Sequence, residues 1–348
     1  MKILFHIAHP AQYYMFKNVI IKLTNNGHDV SITINTKDIL EQLMLTEKVP
    51  FLNILKNRRS NNSRFSAMLT LLKKEYCIFK LQRKQRYEIF VGTETALAHI
   101  GWIFRIKTFI MVEDDASVIP EAAMLSFPFA QYIVSPVSCD LGRWSEKKIS
   151  YEGYQKLCYL HPKYFTPLRN KIRGAMRSEL RYFMIRVSAL SAYHDNRTSG
   201  FTLDILRTIV NILKDHGEII ISTEKQLPSE FSQYLFGAKL SEIHHYLYFS
   251  DLLIADSQSM CVEAAVLGTP SLRLSDFAGK IGVLEELEHK YKLTYGFNLS
   301  ETGKLYKKLA ELLSVNDLRN IWQARRQKML SEKIDVTAFW TKLIENAS

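Results

Sequence analysis

Two hydrophobic periods alternate along the chain. Short apolar runs suited to buried strands are followed by stretches with apolar residues three and four apart, the helical period. "KILFHIA" reads as a strand and "QYYMFKNVIIKLTNN" as an amphipathic helix stopped at Gly27, with "DVSITIN" the next strand. "YEIFVGT", "KTFIMVE" and "QYIVSP" read as further strands, with a helix near "ALAHIGWIFRI". Such alternation predicts a mostly parallel sheet covered on both faces. The pattern breaks over 160–180, which holds two prolines and the basic residues Lys163, Arg169, Lys171, Arg173 and Arg177. It then restarts. "RYFMIRVSAL" is a strand, "FTLDILRTIVNILKDHG" a helix ended by Gly217, and "EIIIST" a strand. "EIHHYLYFS" is a short helix and "DLLIAD" a strand; "SLRL" comes later, and residues 303–314 and 317–331 read as closing helices. The expectation is an α/β protein of two domains, 1–167 and 180–335.

Composition agrees. A chain of 348 residues suits two ordinary cores, and 47% hydrophobic with 23% charged residues is a common globular balance. No apolar run reaches the length of a membrane span. The start, "MKILFHIAHPAQ", reads as a first strand rather than a signal peptide, so a cytoplasmic location is expected. Cys77, Cys139, Cys158 and Cys261 have no paired spacing, which argues for reduced thiols without zinc or disulfides.

Charge adds one feature. The net charge is +11, and basic residues concentrate in 56–86, where Glu75 is the one acid. Within it Phe65, Met68, Leu69, Leu72, Tyr76 and Phe79 recur at helical steps, so 64–86 is an amphipathic helix. Such a segment suits an anionic membrane surface, an acidic substrate or nucleic acid. Nucleic acid is not expected, because no nucleic-acid motif accompanies the charge.

Candidate chemistry concentrates in "DSQSMCVEAAVLGTP", residues 256–270. A strand ends at its polar cluster and a helix starts near Ser259. Helix starts present unpaired N–H groups and bind anions. Ser257 and Ser259 can add hydroxyl bonds to a phosphate, and Glu263, one turn inside, can accept two ribose hydroxyls. Equally, Ser259 can simply cap the helix while Glu263 meets solvent or a structural partner.

This stretch resembles the nucleotide-sugar element of GT-B glycosyltransferases and of non-hydrolysing UDP-N-acetylglucosamine 2-epimerases. In those families a Ser at the strand end holds a phosphate and a Glu early in the helix binds ribose. Ser257 and Glu263 fall on these positions, and Gln258 and Ser259 replace two glycines of the epimerase element. "FHIAHPAQYYMFKNVIIKLTNNGHDVSIT", "YEGYQKLCYLHPKYF", "SAYHDNRTSG", "STEKQLPSEF" and "LEELEHKYKLTYGF" extend the likeness. Together they resemble the bacterial and archaeal family called domain of unknown function 354, placed with the GT-B superfamily.

The resemblance implies a GT-B fold, two Rossmann-like domains with parallel sheets facing an interdomain cleft. It also implies that a helix over 336–348 crosses back to the first domain. His9 fits the acceptor-facing His of related transferases and is a candidate base, with Glu113 and Asp114 as alternatives. Glu113 matches an epimerase acid, but Thr93 stands where the epimerase Asp would be. "SAYHDNRTSG" is similar to the epimerase phosphate loop: His194 is kept, Asp195 replaces Arg, and Arg197 can supply the charge. Arg273 is a candidate for the leaving diphosphate, with structural pairing as its other reading.

Ala255 stands eight residues before Glu263, where many retaining enzymes carry a second Glu, so inversion is expected. The chain has no Asp-x-Asp motif, and no metal is expected. The expected activity is sugar transfer from a nucleotide diphosphate-sugar, a UDP-sugar first, to a glycan or glycolipid acceptor in surface-polysaccharide or glycolipid assembly. No cofactor beyond that donor is expected. The segment 56–86 would give peripheral contact with an anionic membrane. The alternatives are a nucleotide-sugar 2-epimerase and a non-catalytic glycan- or nucleotide-binding protein.

Overall fold

The computed structural model describes residues 1–35, 38–55, 64–172, 181–188, 200–223 and 225–347. The chain forms two compact units. The first comprises Met1–Tyr159 and Ile334–Ser348, the second Leu160–Lys333.

The first unit is built on seven strands: β1 (Lys2–Ile7), β2 (Asp29–Asn35), β3 (Leu52–Leu55), β4 (Ile89–Gly92), β5 (Lys107–Met111), β6 (Tyr132–Pro136) and β7 (Lys148–Tyr151). They pair in parallel in the order β3-β2-β1-β4-β5-β6-β7. β1 is an interior strand, and every residue after Lys2 in it is buried. A parallel strand covered on both faces needs this near-continuous apolar run. Winding reverses between β1 and β4, which opens a crevice beyond their carboxyl ends.

The helices are α1 (Pro10–Asn25), α2 (Asp38–Thr46), α3 (Arg64–Gln85), α4 (Thr95–Phe104), α5 (Pro120–Ser126), the short α6 (Leu157–Leu160) at the unit boundary, and, from the chain's end, α13 (Val336–Glu345). α1 packs on α2 and α13, and α3 packs on α4, which packs on α5. Trp340 of α13 is fully buried against Phe16 and Tyr151.

Among the described residues the second unit has five strands, β8 (Tyr182–Val187), β9 (Glu218–Thr223), β10 (Leu252–Ala255), β11 (Ser271–Leu274) and β12 (Thr294–Phe297). Their order is β12-β11-β10-β8-β9, all parallel. The switch point lies between β8 and β10. Its helices are α7 (Leu203–Leu213), α8 (Ile243–Phe249), α9 (Gln258–Leu267), α10 (Gly282–Glu285), α11 (Thr302–Ser314) and α12 (Leu318–Glu332). α7 is capped by Thr202, whose hydroxyl accepts from the Ile205 amide, and it buries Leu206, Ile209, Val210 and Leu213. α9 ends at Gly268, whose φ of 75° is the left-handed turn glycine takes freely.

Three strands escape the hydrophobic pattern: β3, β7 and β12, each four residues long at or beside a sheet edge. α9 also begins one residue earlier than Ser259, and its cap is Ser257. Among the described residues no helix is long and apolar enough to cross a membrane.

Candidate functional site

In the second unit, β10 runs straight into the polar cluster. Asp256 is buried, and its Oδ1 accepts from the Ser188 amide at 2.6 Å and the Ser188 hydroxyl at 2.7 Å. Its Oδ2 accepts from the Phe201 amide at 3.4 Å. Asp256 therefore ties the end of β8 and the approach to α7 onto the start of α9, a structural role. Ser257 has extended backbone, and its hydroxyl accepts from the Met260 amide at 3.4 Å. The next two amides, of Gln258 and Ser259, precede the first intrahelical bond and are the donors a helix start leaves unused. Gln258 donates through Nε2 to the Ser275 hydroxyl at 2.8 Å. Its Oε1 is buried with no donor among the described residues.

Glu263 lies one turn inside, and its Oε2 is 3.5 Å from Nε2 of His244 on α8, both side chains largely buried. Arg273, on β11, is completely buried. Its strand neighbour is Gly296, where a Cβ would stand 2.6 Å from Nη2, so the glycine leaves the guanidinium its space. Glu285 Oε1 is 4.0 Å away, and Glu288 accepts from the Gly296 amide at 2.9 Å. None of the three guanidinium nitrogens has a hydrogen-bond partner among the described residues. Burial pulls the Arg273 pKa down, against Cys261, Glu288 and Glu285, which raise it. Burial likewise raises Glu288, against the Gly296 amide and Arg273. A guanidinium with its planar set of donors unused matches a bidentate anion.

In the first unit, the loop after β1 is tied down by Gln12. Its Oε1 accepts from the Ala8 amide at 2.7 Å and its Nε2 donates to the Thr93 hydroxyl at 2.7 Å, joining the ends of β1 and β4. His9 is exposed and caps α1, its Nδ1 accepting from the Ala11 amide at 3.2 Å. A neutral ring used this way carries its proton on Nε2.

His6 is the opposite case. It is completely buried, with Nδ1 2.9 Å from the Thr33 hydroxyl, which itself donates to the Phe5 carbonyl. That network puts the proton on Nδ1 and leaves the Nε2 lone pair without a partner among the described residues. Burial pushes the His6 pKa down to about 4, with Glu94 opposing and Lys74 adding to the shift.

The three acids after β5 have three environments. Glu113 accepts from the Gln155 amide at 2.5 Å and from Lys156 Nζ at 2.6 Å. Asp115 is buried and accepts from the Asp140 amide at 2.6 Å. Asp114, between them, has its pKa raised by burial and by the charges of Glu113 and Asp115, with Lys156 opposing. The geometry therefore gathers Ser257, Gln258, Ser259, Glu263 and Arg273 around one helix in the second unit. His9, Glu113 and Asp114 lie at strand ends of the first. His194 and Arg197 lie outside the described residues. Sequence reading missed the partners Asp256, His244, Lys156 and Glu288, because each pairing joins positions with no local spacing between them.

A family model described as "Protein of unknown function (DUF354)" matches residues 1–335. The chain belongs to this family. No curated protein matches its sequence. Among solved structures, the UDP-GlcNAc 2-epimerase of Methanocaldococcus jannaschii is 15% identical, with TM-score 0.64 over 91% of this chain and 94% of that one. The UDP-GlcNAc 2-epimerase of Neisseria meningitidis, solved with UDP-GlcNAc, is 13% identical, with TM-score 0.60 over 96% and 100%. The Streptomyces sp. SF2575 glycosyltransferase SsfS6 is 10% identical, with TM-score 0.61 over 99% of both chains. This member of the family thus has the GT-B fold, with a Rossmann-like parallel sheet in each unit.

Proposed function

We propose that this family member is a glycosyltransferase that takes a sugar from a nucleotide diphosphate donor. The observation that carries the reading is the mouth of α9, where a serine-capped helix start stands at the same end of the sheet as the buried guanidinium of Arg273, which has no hydrogen-bond partner among the described residues. Ser257, Gln258 and Ser259 would meet the diphosphate, with His194 and Arg197, which fall between β8 and α7 in the sequence. Glu263 would take the ribose hydroxyls, exchanging or sharing its contact with His244. Arg273 would stabilise charge on the leaving diphosphate. The fold neighbours include proteins solved with UDP or UDP-GlcNAc, which makes a UDP-sugar the first donor to try. No resident metal or other cofactor enters the proposal.

In an inverting displacement one base removes the acceptor hydroxyl proton as the diphosphate departs. Of the three candidates, Asp114 suits this best. Both carboxylate oxygens of Glu113 are engaged, and the Nδ1 of His9 caps a helix. The raised pKa of Asp114 brings its proton affinity closer to neutral pH. The acceptor would be a glycan or glycolipid of a surface polymer, and the enzyme cytoplasmic.

The epimerase neighbours favour a second reading, a nucleotide-sugar 2-epimerase. Thr93, where the epimerases place an acid, weighs against it. Its hydroxyl accepts from Gln12 and brings no negative charge.

The test is a thermal-shift panel of nucleoside diphosphates on wild type and Glu263→Ala. A ligand that binds only the folded state raises the melting temperature with concentration. Stabilisation by one diphosphate, lost in Glu263→Ala, supports the pocket. No shift with any nucleotide removes the proposal. Incubation with UDP-GlcNAc alone then separates the readings, because an epimerase makes a new sugar isomer without an acceptor.

A further inference from the structure

Helix α3 is apolar on two faces. Inward, Ile78 is buried, and Leu71, Phe79 and Leu81 pack on the core of the first unit. Two of its charges also turn inward: Lys74 pairs with Glu94 and Glu75 with His99, each at 2.5 Å. Outward stand Phe65, Met68, Leu69, Leu72 and Tyr76, between 41% and 66% exposed. Their spacing of three and four residues makes them one stripe over three turns. The exposed surface is also basic, with Lys73 inside this stretch and Lys80, Arg83 and Lys84 beyond it. The neighbouring α4 adds Trp102, 60% exposed, one turn beyond the His99 that binds Glu75. A helix with a second, exposed apolar face calls for cover on that side too.

We propose that the outer face of α3 docks on an anionic phospholipid bilayer. The stripe from Phe65 to Tyr76 would enter the boundary between headgroups and acyl chains. Lys73, Lys80, Arg83 and Lys84 would meet lipid phosphates. Charge complementarity selects this occupant. The one acid of the helix faces inward to His99, so the exposed charges of α3 are cations. A second copy docked on the same face would set those cations against their own kind. A nucleic acid would satisfy the cations and leave the apolar stripe uncovered. A helix of 22 residues, lying flat, offers about 33 Å of contact. Tyr76 carries Lys80 Nζ 5.8 Å from its ring centroid, an arrangement with an apolar body and a wet, charged end. This inference does not depend on nucleotide binding.

The experiment is sedimentation of the full chain with vesicles of phosphatidylcholine, with and without phosphatidylglycerol. Binding to the anionic vesicles is expected at low salt, with a several-fold loss at about 0.5 M salt. The double variant Phe65→Glu with Leu72→Glu should bind at least about tenfold more weakly. Its melting temperature should hold, because both side chains point outward. Lys80→Glu with Lys84→Glu should remove the salt-sensitive part and keep the fold. Three results would overturn the proposal. One is no sedimentation of folded wild type with anionic vesicles. Another is unchanged binding by the Phe65→Glu, Leu72→Glu variant. The last is a wild-type dimer that this variant turns into a monomer, which would assign the face to a second copy.

Discussion

Single side chains in this molecule sort by whether burial is compensated. Asp256 is buried and satisfied by three donors, so it reads as structure. His6 and Arg273 are buried and under-satisfied, and each has a shifted pKa with burial as its largest cause. For His6 the consequence is a pH dependence of stability. Its folded pKa, about 4, lies below the 6.5 of a free imidazole. As pH falls below 6.5 the unfolded chain takes up a proton that the folded chain refuses until pH 4. The contribution is complete above the upper value and lost progressively toward the lower. At pH 5 the loss is about 2 kcal/mol relative to neutral pH. Urea unfolding at pH 7 and pH 5 measures it. His6→Leu, whatever its absolute stability, should lose less than wild type over the same step. An identical loss in both proteins would mean that other groups carry the slope. Sequence alone places His6 inside the run "KILFHIA" and His9 just after it, at the strand's mouth. It could not rank His9, Glu113 and Asp114. Glu113 is engaged by Lys156, 43 positions away, and the Ala11 contact of His9 needs the fold of the loop.

Elements show a different limit of sequence reading. β2 and β9 are legible to the residue, because each is a run of β-branched side chains set just after a glycine, although α7 ends at Leu213 with Lys214 as its cap rather than at the expected Gly217. The short strands β3, β7 and β12 are not, because four half-buried residues carry too little pattern. α3 was legible as a helix, but periodicity marks a stripe without saying which way it faces. The inward side was fixed by Ile78, Gln82 and two ion pairs. At α9 the ambiguity was the cap, since both serines suit it. Ser257 takes the role because Asp256, anchored to Ser188, fixes the chain just before it. That dual position predicts a separable effect. Ser257→Ala should cost about 1 kcal/mol of stability through the lost cap. It should also reduce the nucleotide-induced melting shift, beyond the fall in the starting temperature. A full shift on a lowered baseline would leave Ser257 as a cap alone and move the phosphate contact to Ser259.

At the scale of the whole molecule, the chain closes its first unit last. α13 belongs to that unit, although the second unit is finished before it begins. Trp340 is its anchor, fully buried between Phe16 of α1 and Tyr151 of β7. Thr337 adds a hydrogen bond to the Cys158 carbonyl at 3.0 Å, and Asp335 caps the helix on the Ala338 amide. Losing so large a buried ring should cost about 3–5 kcal/mol. Compact units of this kind open with their own free energies, so the loss should be local. Hydrogen exchange on Trp340→Ala reads it directly. Amides of β1, α1 and β7 should lose protection by a factor of roughly a hundred or more, the ratio that such an energy implies. Amides of β8, β10 and β11 should exchange as in wild type. Equal loss in both sheets would instead mean that the chain unfolds as one cooperative body. A variant of the last helix would then weaken the α9 mouth as well, and its nucleotide shift would fall with the stability of the first unit.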